Sequence, residues 1–154
     1  MARLAISETV NAPLGRTFEA FSDLRSAEKN ISGIKRLEIL TDGPIGKGTR
    51  FKETRVMFGR EATETMEVTQ WEPRGSPASY AIGGDSCGAR FETIFRFHPE
   101  RQGAATRVEM EMTVKAMSLF AKVMSPLSKL MMGPMKKSIA GDLADMKRVA
   151  EIAG

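Results

Sequence analysis

The sequence predicts an α+β domain: a curved antiparallel sheet covered by one long C-terminal helix. Three observations lead there. Segments from Ile34 to Ala116 alternate apolar and polar side chains between turn-forming residues. The last quarter, roughly Met117 to Ile152, changes to a helical period and is rich in methionine. Two short amphipathic stretches between Pro13 and Gly33 separate a first strand from the rest.

In chain order, Arg3 to Val10 reads as a strand with Leu4, Ile6 and Val10 on its buried face. Pro13 suits the first turn of a helix, where its missing N–H is no loss. Leu14, Phe18 and Phe21 then turn one aromatic face inward. Ser26 is placed to cap a second short helix, which Gly33 ends. Strands follow near 34–41, 49–57, 60–72, 78–84, 89–98 and 106–116. In the last of these Val108, Met110, Met112 and Val114 share one face, against Arg107, Glu109, Glu111 and Lys115, as a sheet with one wet face requires. In the tail, Met132, Met135, Ile139, Leu143, Met146 and Ala150 step by three or four as a continuous stripe. A kink or break is expected at Pro126 and Pro134.

At 154 residues the chain fits one domain, 1–154, and can bury about two thirds of its unfolded surface. A single cysteine, Cys87, rules out an internal disulfide and fits a reducing compartment. With no signal-peptide-like or membrane-spanning run, a cytoplasmic location is expected. The net charge of +4 is concentrated at the C-terminus: from Lys115 onward seven Lys/Arg face three Asp/Glu. A solvated helix face explains this excess, and an anionic membrane surface is the alternative. No nucleic-acid-binding motif is present. One His and one Cys make no zinc set, and Gly43 to Gly48 lacks the Gly-Lys-Ser/Thr ending of a phosphate loop. Neither metal nor cofactor is expected, and the oligomeric state, monomer or homodimer, is left open.

Order and turn chemistry together resemble the START-like or SRPBCC superfamily. It includes birch-pollen-allergen proteins, lipid-transfer START domains and bacterial polyketide cyclase/dehydrase-like proteins. The residues carrying the resemblance are Asn11-Ala12-Pro13 leading to Phe18, Phe21 and Asp23, then Gly46-Lys47-Gly48-Thr49. Val68 to Pro73 and His98-Pro99 followed by Gly103 to Val108 complete the set. The resemblance implies a helix-grip fold, in which a seven-stranded sheet grips the long helix around an apolar cavity.

On that reading the sheet would line the cavity with Phe51, Met66, Val68, Tyr80 and Phe91, and with Phe95, Phe97, Met110 and Met112. The helix would add Met124, Leu127, Met131 and Met135. Thioethers suit a pocket that adapts to varied apolar ligands, and equally serve as gap-fillers in a core. Glu8, in register with Leu4 and Ile6, and Glu64, in register with Met66 and Val68 as is Gln70, are candidate interior acids. Each is equally a charge that reaches water or pairs with an arginine such as Arg50 or Arg55. Tyr80 is a candidate polar anchor, and His98 is expected in an exposed turn. Three functions remain: a carrier or sensor of a small hydrophobic or amphipathic ligand, a polyketide cyclase/dehydrase-like enzyme using a cavity carboxylate, and a membrane-surface or protein-interaction module.

Overall fold

The computed structural model describes residues 2–57, 59–86, 88–116 and 132–152. Strand β1 (Ala2–Val10) leads into α1 (Leu14–Ser22) and α2 (Ala27–Asn30). Then come β2 (Ile34–Ile39), β3 (Arg50–Met57), β4 (Arg60–Glu72), β5 (Ala78–Ser86), β6 (Ala89–Glu100), β7 (Ala105–Ala116) and α3 (Met132–Ile152). Every strand expected from alternation is present. The sheet order is β1-β7-β6-β5-β4-β3-β2, so α1 and α2 carry the chain from one edge to the other and hairpins bring it back.

Pairing registers define two faces. One concave row runs Val114, Phe91, Gly84, Met66, Phe51, Ile39 across neighbouring strands. The next runs Leu4, Met112, Thr93, Ile82, Val68. A register shift between Val68 and Gln70 then changes the parity of β4. A bulge places one extra residue and reverses every later side chain. Gln70, expected in line with Val68, therefore turns to the convex face and donates to Ser79 Oγ at 2.7 Å. Trp71 turns inward, paired with Tyr80.

One end of the concave face is packed solid. Phe18 of α1 meets Trp71 edge-on at 5.2 Å and Phe97 at 5.0 Å, and Tyr80 stacks on Phe95 at 4.8 Å. Offset and edge-on rings add to plain area burial. Leu143, Met146 and Ala150 of α3 close this end.

Helix details differ from expectation in two places. Ser26 precedes α2 but its side chain makes no cap bond; its N–H instead donates to Asp23 Oδ1. Gly33 lies beyond the end of α2, and its small size serves the site described below. Pro134 lies two residues into the described part of α3. Pro126 lies outside the described residues.

Candidate functional site

Beyond the packed end, the concave face changes character. Phe51 and Val68 are buried, but Ala62, Glu64, Ile82, Phe91, Met112 and Val114 are only partly so. On α3, Met135 and Ile139 are likewise partly buried, whereas Leu143 is 1% exposed. Phe91 bends over Gly84: a Cβ there would lie 3.0 Å from the ring and 2.9 Å from the Thr65 carbonyl. The missing side chain leaves the space that the ring occupies.

A charged group borders this apolar floor. Phe51, Glu53 and Arg55 alternate along β3, so all three point to the concave side. Glu53 pairs across the strands with Leu37 on one side and Glu64 on the other. The Arg55 guanidinium donates from Nε to Glu53. It also grips Asp142 of α3 through Nη1 at 3.0 Å and Nη2 at 2.8 Å. Gly33 abuts the pair: an added Cβ would stand 2.9 Å from Arg55 Nη1 and 3.2 Å from Asp142 Oδ1.

Burial raises the Glu53 carboxyl above its ordinary range, partly offset by Arg55, with Asp142 and Glu64 adding to the rise. Burial also raises Asp142, again against the pull of Arg55. For Arg55 burial works against the charge, yet its bonds to Asp142 and Glu53 outweigh it and hold the proton more firmly. Two acids therefore share one cation in a poorly hydrated place.

The structure divides the residues singled out from sequence. Phe51, Met66, Val68, Phe91 and Met112 share the floor beyond the packed end. Phe95, Phe97, Tyr80 and Met110 belong to the packed end, against Phe18, Phe21 and Met146. The Tyr80 hydroxyl donates to the Phe21 carbonyl at 2.8 Å, so its proton is already committed within the fold. It is not the free donor expected for a ligand carbonyl.

Glu8 does face α3 but pairs with Lys147 at 3.1 Å, with its side chain 37% exposed. It is not an acid held in an apolar cavity. Glu64 is partly buried beside Glu53. His98 lies within β6, not in a turn, and its Nε2 is 2.8 Å from Glu109 Oε1 without hydrogen-bond alignment. Met124, Leu127, Met131 and Cys87 lie outside the described residues. Sequence reasoning passed over Glu53 and Asp142, although Asp142 stands three residues after Ile139 and four before Met146, within the buried stripe.

Two hollows open on the convex face among the described residues. One, about 420 Å³, is bordered by Arg50, Glu67, Asp85 and Arg90. The other, about 220 Å³, is bordered by Arg96, Arg107, Glu109 and Glu111. Both are ringed by charges of mixed sign, exposed around the first and partly buried around the second, and neither lies under α3.

The family model described as polyketide cyclase/dehydrase and lipid transport matches residues 1–151. The chain belongs to that family. Solved structures of similar fold accompany this member of the polyketide cyclase/dehydrase and lipid-transport family. TTHA0849 from Thermus thermophilus has 19% identity and a TM-score of 0.77, covering 99% of each chain. The Zhui aromatase/cyclase from a Streptomyces species has 14% identity and a TM-score of 0.75, covering 97% of this chain and 93% of its own. Ara h 8.0201 has 16% identity and a TM-score of 0.73, covering 97% of both. These likenesses establish the helix-grip fold. No curated protein matches the sequence. No helix among the described residues is long and apolar enough to cross a membrane.

Proposed function

We propose that this protein binds a small hydrophobic or amphipathic molecule on the partly buried stretch of its concave face, as a carrier or sensor. One observation carries the reading: a single sheet face is tightly filled at one end and only partly covered at the other. Ile82, Phe91, Met112 and Val114 would form the floor above the buried Phe51, Met66 and Val68, and Met135 part of the roof. The Glu53–Arg55–Asp142 group would supply a polar edge. Small-molecule sites combine an apolar lining with few polar groups in this way. Covering 100 Å² of such surface contributes about 2.5 kcal/mol, and thioethers tolerate varied shapes. The family's description includes lipid transport, which agrees with a carrier role.

The test is a fluorescence titration with the neutral probe N-phenyl-1-naphthylamine. Wild-type protein should bind it saturably, and Met112→Trp or Ile82→Trp should weaken binding about tenfold by filling the floor. Glu67→Gln on the convex face should have no effect. Absence of saturable binding to the wild type would refute the reading.

A second reading is an acid–base cyclisation or dehydration, favoured by the upward displacement of the Glu53 and Asp142 carboxyls. The described fold of the Zhui aromatase/cyclase keeps it open. It requires Glu53→Gln to abolish turnover of a candidate polyketide while binding survives; unchanged turnover would exclude Glu53 as the acid. The membrane-surface reading rests on the exposed Lys136 and Lys137 of α3. Flotation with anionic and neutral liposomes tests it.

A further inference from the structure

We propose that Asp142, Arg55 and Glu53 form a releasable catch that holds the N-terminal half of α3 over the sheet, so that this half opens as a lid while the C-terminal half stays docked. The polar ties of α3 are unevenly distributed. Lys147 bonds Glu8, Asp145 accepts from Ser32, Glu151 accepts from the Asn11 N–H, and the Ala150 carbonyl accepts from Arg16. All four lie after Asp142 in the chain, beside the buried Leu143, Met146 and Ala150. Among bonds between described residues, only Asp142–Arg55 joins α3 to a strand other than β1.

Before Asp142 the described residues of the helix are held lightly by the other described residues. Gly133, Pro134, Lys136, Lys137, Ser138, Ala140 and Gly141 are exposed. Among the described side chains there, Met135 and Ile139 alone are partly buried. Gly141 immediately precedes Asp142, and an added Cβ would meet nothing within 4 Å. Packing does not require a glycine at this position. Its lack of helix propensity marks a point where the helix bends at little cost.

The bridge is built to open without stranding a charge. An ordinary buried ion pair resists separation because the remaining partner is left uncompensated. Here Arg55 keeps Glu53, two residues away on its own strand, when Asp142 departs. Asp142 in turn regains the hydration whose loss is its largest perturbation. Two carboxylates compete for one guanidinium, and the one on the helix is free to go. Asp142 itself raises the neighbouring Glu53 carboxyl, so the two acids repel one another across the guanidinium that holds both.

Hydrogen exchange on the full chain tests the catch. In Asp142→Asn, amides 135–141 should exchange about tenfold faster while amides 143–150 change less than about twofold. Glu53→Gln removes the competitor and should slow exchange of 135–141, as should Gly141→Ala by stiffening the bend. Release of N-phenyl-1-naphthylamine should follow the same order. Uniform acceleration along α3 in Asp142→Asn, or faster exchange in Glu53→Gln, would overturn the catch. Probe release indifferent to Asp142→Asn would overturn the lid. If the probe fails to bind, the ligand-binding reading falls and the exchange pattern alone decides the catch.

Discussion

The Tyr80 hydroxyl crosses from the floor of the sheet to donate a hydrogen bond to the Phe21 carbonyl at the end of α1. Both residues are buried, Tyr80 at 3% and Phe21 at 4% exposure, and burial raises the phenol far above its usual range. Tyr80→Phe strands a carbonyl away from water, which costs about 1–3 kcal/mol. Urea denaturation should show a lower midpoint with an unchanged slope. Probe affinity should stay within about twofold, because this bond stitches the packed end and not the open floor.

Gly84→Ala should act on the floor itself. The new methyl meets the Thr65 carbonyl, which is backbone and cannot swing aside, as well as the Phe91 ring. Overpacking of this kind costs about 1–3 kcal/mol. A displaced Phe91 should also weaken probe binding, so stability and affinity fall together. Loss of stability alone would place the ligand elsewhere.

Glu8→Gln should do little. The Glu8–Lys147 pair is about one third exposed on each side (37% and 33%). Such a pair contributes about 0–1 kcal/mol after solvent screening. Urea midpoints of the two proteins should nearly coincide.

The Glu53 and Asp142 carboxyls produce a defined pH signature. Their ordinary values are 4.5 and 3.8, and both are raised in the fold. The folded chain thus holds these protons more tightly than the unfolded chain. The stability they contribute is fully present below the ordinary values and is lost as pH rises through the raised ones. A Glu53→Gln/Asp142→Asn double variant lacks this loss. Its deficit against the wild type should shrink as pH rises above about 4, measured by urea midpoints. A deficit that grows with pH would contradict the direction.

The strands were legible because one wet face imposes a two-residue alternation, and Val108 to Val114 shows it without interruption. The side-chain parity of β4 after Val68 was not legible. A bulge at Thr69 has no reliable local signature, so Gln70 was placed on the wrong face and Trp71 was missed. The apolar part of the floor was read correctly as concave, whereas its division into a filled and an open end depends on where α1 docks. That is a tertiary fact. Glu53, Arg55 and Asp142 sat at inward positions by simple counting, but charge argued against burial until a mutual partner was visible.

Trp71 packs against both hydrophobic groups, the aromatic one at the filled end and the one containing Phe51, Met66 and Val68. The chain therefore carries its sole indole at the seam between them. Its emission will report denaturation of the first and arrival of a guest beside the second. Energy transfer from Trp71 to a bound naphthylamine gives a ruler for where that guest comes to rest, with no label attached to the protein.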